Sequence, residues 1–269
     1  MSFEPVAQAH FDLYAQRMAQ SLPEKLFFAE AFGHEGVEAI VDFGCADGAL
    51  LASLCEVLPG VHRIGYDLSE LAVARAAKRT SGAFFSDWDA LEAHLEQLRA
   101  AGIRKIGLVA SSVLHEVYAY GGETAGELFW SRLLDGPFTY FALRDMTISA
   151  TEVGRHDGAL RPALLAACRE AGCLDLLTQF EAHWGLVTTR ERRTHFLLKY
   201  RYRENWAREL GENYLPITLE DIQRRVATRF SIETLDHARL PFLEEQARKD
   251  LGTGFPCSTH LKLIARKPD

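Results

Sequence analysis

The stretch IVDFGCADGALLASL, residues 40–54, limits what this chain can fold into more than any other segment. An apolar run too short for a helix breaks at glycine and resumes with helical spacing. A strand, a tight turn and a helix in that order set a loop at the carboxyl end of a strand, where open α/β sheets bind ligands. The following sequence keeps the rhythm. Strands are predicted over 39–43, 62–67, 83–86, 105–111 and 138–146, separated by helices over 49–57, 70–78, 90–100 and 123–134. The strands are apolar without strict alternation, which predicts a mostly parallel, doubly wound sheet covered on both faces.

The flanks differ. Apolar positions Val6, Phe11, Tyr14 and Met18, then Leu26, Phe27, Phe28 and Phe32, predict two helices ahead of the first strand, with Tyr14, Phe27 and Phe28 as pocket walls or helix-to-core packing. Residues 229–240 and 258–268 read as strands that pair antiparallel at one edge. Between 149 and 217 the rhythm stalls into a helix near 161–171, a strand over 194–202 and a helix near 204–211. The expected division is therefore N-terminal helices over 1–35, a sheet domain over 36–148 and 218–269, and an inserted cap over 149–217.

Composition narrows the chemistry. The five cysteines are scattered without a Cys-x-x-Cys pair, and the ten histidines form no His-x-x-x-His face, so neither a disulfide framework nor a metal site is expected. A net charge of −7 opposes general polyanion binding. No signal-like start or long apolar run is present, and a cytoplasmic protein without membrane contact is expected.

Three ligand classes compete for the first turn. A nucleoside-triphosphate loop needs a Lys followed by a hydroxyl residue, and neither is there. A dinucleotide turn would place its second and third glycines on Ala46 and Ala49, with Asp47 against a pyrophosphate. S-adenosylmethionine carries no phosphate and is cationic, which suits Asp42 and Asp47 beside close-approach glycines Gly44 and Gly48. Asp67, at the tip of the second strand, supplies an acceptor for two ribose hydroxyls.

VDFGCADGALL resembles the first motif of the class I, seven-stranded, Rossmann-like S-adenosylmethionine-dependent methyltransferases. Their pattern is acidic-x-Gly-x-Gly-x-Gly, and the middle glycine is Ala46 here. The resemblance spans roughly 37–148 and 218–269 and implies the sheet order 3-2-1-4-5-7-6 with an antiparallel last strand. It implies cofactor contacts from Asp42, Gly44, Cys45, Ala46, Asp47 and Gly48, from Asp67 and Leu68 at the ribose, from Asp87 and Trp88 at the adenine, and from Ser111 at the end of the fourth strand. Residues 149–217 have no counterpart in it. In such enzymes additions of this kind carry substrate elements.

Methyl transfer is an in-line displacement that needs alignment and, for a hydroxyl or amine acceptor, a base. His115, Glu116 and Asp145 are the catalytic candidates, with structural roles as their alternatives. Arg144, Tyr200 and Trp206 are the substrate-binding candidates. The stretch 190–208 interleaves seven Arg or Lys with aromatics and reads either as an RNA-binding face or as an amphipathic strand with a solvated basic side. The leading expectation is a small-molecule methyltransferase. An RNA methyltransferase and a non-catalytic S-adenosylmethionine-binding module are the alternatives.

Overall fold

The computed structural model describes residues 22–268. Of the two expected leading helices, the first, with Tyr14, lies outside the described residues. The second is present as two short helices, α1 (Leu22–Lys25) and α2 (Ala29–His34).

Seven strands form one sheet: β1 (Ala39–Phe43), β2 (His62–Tyr66), β3 (Ala83–Phe85), β4 (Ile106–Ser111), β5 (Tyr140–Met146), β6 (Ser231–Ala238) and β7 (His260–Arg266). Their order is β3-β2-β1-β4-β5-β7-β6, as expected. The pairs from β3 to β5 are parallel, and β7 runs antiparallel to both β5 and β6. In the register Val41 stands between Ile64 and Leu108.

Strand periodicity sorts β1 between two interiors. Ala39, Val41 and Phe43 face a core with Leu91 and Leu95 of α5 (Trp88–Ala100), Trp130 and Leu133 of α6 (Leu114–Asp135) and Ile222 of α11 (Leu219–Val226). Ile40 faces Phe28 and Phe32 and the buried leucines of α3 (Ala49–Val57). Phe28 is fully buried there and Phe27 stacks edge-on against it, so both serve helix-to-core packing. The sheet is completed by α4 (Glu70–Arg79), capped by the Ser69 side chain on the Ala72 amide.

A second, all-helical interior is built from α7 (Leu160–Glu170), α8 (Leu174–Trp184), α9 (Arg190–Lys199) and α10 (Trp206–Gly211). It is not confined to 149–217: Ala247 and Leu251 of α12 (Pro241–Leu251), together with Phe255, close it from the connection between β6 and β7. One expectation fails outright. Residues 194–202 are not a strand; Thr189 caps a helix that runs to Lys199, and Arg193 through Lys199 are buried. A helix enclosed on all sides carries no polar stripe, so alternation in its sequence mimics a strand.

Candidate active site

The loop after β1 is shaped by backbone conformation. Gly44 and Gly48 take φ of +77° and +76°, and Ala46 between them takes +47°. The glycines are also fixed by packing: a Cβ on Gly44 would lie 2.5 Å from Val113 Cγ2, and one on Gly48 2.9 Å from Ala76 Cβ. The Gly44 and Cys45 amides both donate to the Tyr66 carbonyl, at 2.8 and 3.0 Å. The Ala46 amide donates to Asp67 Oδ2 at 2.9 Å, and the Ser69 amide to Asp67 Oδ1 at the same distance. Asp67 thus locks the first loop to the second strand tip and keeps lone pairs for a further donor. Leu68 beside it is 82% exposed, an apolar side chain presented at the same tip.

The two loop carboxylates part company. Asp47 accepts from Arg79 of α4 at 2.5 Å and from the Ala49 amide at 3.3 Å, so it is occupied by a protein cation and a helix end. Asp42 is buried, and burial, opposed by Lys25 and reinforced by Asp67, pushes its carboxyl up to about 7. Lys25 of α1 is itself buried, and burial, opposed by Asp42, draws its ammonium down to about 8. No periodicity or motif in the sequence pointed to Lys25, which stands in a helix of one turn.

At the third strand tip Asp87 caps α5 by accepting from the Ala90 amide at 2.9 Å. Trp88 turns inward, against Tyr66 and Phe43 and under Arg132, instead of lying open beside a ring. Cys45 also points into the interior. Trp88 Nε1 is buried without a hydrogen-bond partner among the described residues.

The tips of β4 and β5 carry the polar groups that burial leaves reactive. Ser112 takes φ of +57°, and its hydroxyl accepts from Arg144 Nη1 at 2.8 Å. Ser111 Oγ and Arg144 Nε are buried without a hydrogen-bond partner among the described residues. Backbone strain and unpartnered polar atoms thus coincide at these two strand tips. Next to it, His115 Nδ1 lies 2.6 Å from Asp145 Oδ1, both side chains buried. Asp145 Oδ2 accepts the Val113 and Leu114 amides at 3.0 and 2.6 Å, and Oδ1 the Met146 amide at 2.7 Å. Burial presses the Asp145 carboxyl up, but the His115 charge and these amides hold it below its ordinary range. Burial presses His115 down, but Asp145 keeps it above its ordinary value.

Glu116 faces the helical cap: Arg208 of α10 bridges it, at 3.2 Å, to Glu212, at 2.8 Å, and also meets Tyr120. The His115 ring stands edge-on to Tyr214 at 5.2 Å. Sequence reasoning counted Arg208 only as one of many basic residues, because its partners are remote in sequence. Tyr200 and Trp206, the other substrate candidates, lie inside the cap: the Tyr200 hydroxyl donates to Asp250 Oδ2 at 2.9 Å and Trp206 Nε1 to Gln179 Oε1 at 3.1 Å. The structure does not bring them to the strand tips. With Arg193 and Lys199 also buried, residues 190–208 do not form the solvated basic strand that was one expectation for them.

No family model and no curated protein matches the chain. Among solved structures, the plantazolicin methyltransferase BpumL in complex with SAH is 13% identical, covers 97% of this chain and 88% of its own, and superposes with a TM-score of 0.51. The fold is that of the class I methyltransferases. A SAM-dependent methyltransferase from Anabaena variabilis ATCC 29413 is 16% identical over 100% of this chain and 99% of its own, with a TM-score of 0.47. Magnesium protoporphyrin IX methyltransferase from Synechocystis PCC 6803, with bound SAM, is 13% identical over 99% and 87%, also at 0.47. In class I terms, the described loop is the turn after β1, and the His115–Asp145 pair lies across the tips of β4 and β5.

Proposed function

We propose that this chain transfers a methyl group from S-adenosylmethionine to a small-molecule acceptor. The observation that carries the reading is the left-handed loop from Gly44 to Gly48 pinned to the Asp67 carboxylate, next to a buried His–Asp pair on the class I sheet. The similar structure BpumL, a methyltransferase holding SAH, supports the choice of cofactor.

The residues present fit that cofactor. Asp67 retains acceptor capacity for ribose hydroxyls, Leu68 offers an apolar surface for an adenine, and Ser111 Oγ is an orphaned polar atom at the neighbouring tip. Asp42 would hold the positive end, with Lys25 as the protein cation already beside it. When bound, S-adenosylmethionine supplies an electrophilic methyl group on a sulfonium.

The chain's own task is orientation and proton removal. Asp145, held below its ordinary range and surrounded by amide donors, is an acceptor only, so the proton of its bond with His115 sits on Nδ1. Nε2 then carries the lone pair, and among the described residues it has no hydrogen-bond partner. It can take the proton of an acceptor hydroxyl or amine as the new bond to carbon forms. Arg144, with Nε unpartnered, holds a polar or anionic part of the acceptor, and Glu116, tied to Arg208, tethers the cap above.

The test is transfer of radiolabelled methyl from S-adenosylmethionine into fractionated cell extract by the purified protein, with nuclease-treated fractions as controls. Label in a small-molecule fraction is expected. Label lost on nuclease treatment would favour an RNA acceptor, and binding of donor without transfer to any fraction would leave a binding module.

A further inference from the structure

The cap also carries an open cavity of about 460 Å³ lined by Arg155, His156, Asp157, Arg190, Arg193, Gly254 and Pro256. Its size is that of a small-ligand pocket. Its charge is unusual in a chain with a net charge of −7: three guanidiniums line it against one carboxylate.

The arginines are not equivalent. Arg155 and Arg190 share Glu152, at 3.2 and 3.0 Å, and Arg190 also donates to the Pro256 carbonyl. Arg193 is 93% buried, yet among the described residues it makes no ion pair: Nη2 donates to the Thr253 hydroxyl, and Nε has no partner. A buried guanidinium without a paired carboxylate is costly, because desolvation is not repaid by a counter-charge. Asp157 acts on it only through space, its own Oδ1 being taken by the Ala159 amide. The rim is fixed, since His156 and Thr189 form a backbone bridge and Thr189 caps the helix that carries Arg190 and Arg193. One helical turn therefore aims two arginines at one space, with a third opposite them.

We infer that this cavity is a second binding site, for a small organic oxyanion whose carboxylate or phosphate group pairs with Arg193 and is clamped by Arg155 and Arg190. Planar guanidinium forks suit both groups and bind them by parallel charge-assisted hydrogen bonds. The site stands apart from methyl transfer, and a failure to find turnover leaves it intact.

The full-length protein is titrated by calorimetry with succinate and with glycerol 2-phosphate, at an ionic strength held constant with sodium chloride. Saturable binding of at least one is expected. Binding of succinate alone identifies a carboxylate ligand, and of glycerol 2-phosphate alone a phosphate ligand. Arg193→Met is expected to weaken binding by about tenfold or more, the loss of one charge-assisted pair. Arg155→Ala removes a guanidinium that is more than half exposed, keeps the fold, and is expected to weaken binding as well. Absence of saturable binding for both compounds overturns the inference, as does affinity unchanged in Arg155→Ala.

Discussion

Asp42 and Lys25 act on each other at the carboxyl end of β1, and burial moves both toward neutrality, to about 7 and about 8. A carboxyl whose folded pKa exceeds its unfolded value stabilises the fold fully below the unfolded value and loses that contribution as pH rises through the folded one. For Asp42 the window runs from 3.8 to about 7. Lys25 has the opposite sign: its contribution is present above 10.5 and lost as pH falls through about 8. Thermal unfolding of Asp42→Asn should therefore show a flatter stability profile between pH 4 and 7 than the parent, and parallel profiles would remove Asp42 from the account. Because a cationic cofactor pairs with the ionised carboxyl only, its affinity for the parent is expected to climb from pH 6 to 8 and to lose that slope in the variant. At His115 the expected signature is kinetic. Replacing it by alanine should lower kcat by about a hundredfold or more while cofactor Kd changes little, as removal of a general base does. With the imidazole held above its ordinary value by Asp145, parent turnover should rise with pH until His115 is neutral. A flat profile together with normal kcat in the alanine variant returns the pair to a purely structural role.

The first loop shows why a motif can survive a missing glycine. Ala46 adopts φ of +47° and still donates its amide to Asp67, so the conformation is set by its neighbours and the alanine bears the strain. A left-handed residue with a Cβ costs about 1–2 kcal/mol, part of which glycine returns as lost entropy. Ala46→Gly is thus expected to stabilise the protein by about 0.5–1 kcal/mol without weakening cofactor binding; a drop in melting temperature would show that the methyl packs favourably. The five parallel strands were legible because each is a short, largely apolar run closed by turn residues, and the two C-terminal ones because they are extended runs on either side of a Gly- and Pro-bearing turn. Helix α9 was not, because Arg193, Lys199 and the residues between them find their partners at Thr253, Glu209 and Glu212, which sequence spacing cannot reveal. The first turn of α6, with His115 and Glu116, was hidden for a related reason. Gly122, at φ of +65°, breaks α6, and only the part beyond the break has a regular apolar period.

Two interiors make up the molecule, one around the sheet and one within the cap, and Arg208 is a joint between them. It reaches from α10 to Glu116 at the start of α6, while gripping Glu212, whose backbone carbonyl receives the buried Lys199 ammonium. The Tyr120 hydroxyl donates to the same Glu212 carboxylate, so helix α6 and the cap share one charged group. Burial raises the Glu116 carboxyl, and Arg208 opposes that rise. Removing the cation of a partly exposed ionic network costs less than the about 3–5 kcal/mol of a fully buried one, because water screens what is left behind. Arg208→Ala is accordingly expected to destabilise the protein by about 1–2 kcal/mol near pH 7. The deficit should shrink as pH falls, because Glu116, whose carboxyl burial raises, takes up a proton sooner than a free glutamate and then no longer asks for a counter-charge. Adding Glu116→Gln to Arg208→Ala should recover part of the loss, and a double-mutant cycle measures that coupling. Additive losses would mean that cap and sheet are held together by packing alone. If the joint also sets the height of the cap over His115, acceptor KM will rise in Arg208→Ala with the cofactor Kd unaltered, since the partners of Arg208 are Glu116, Glu212 and Tyr120 and none belongs to the loop after β1.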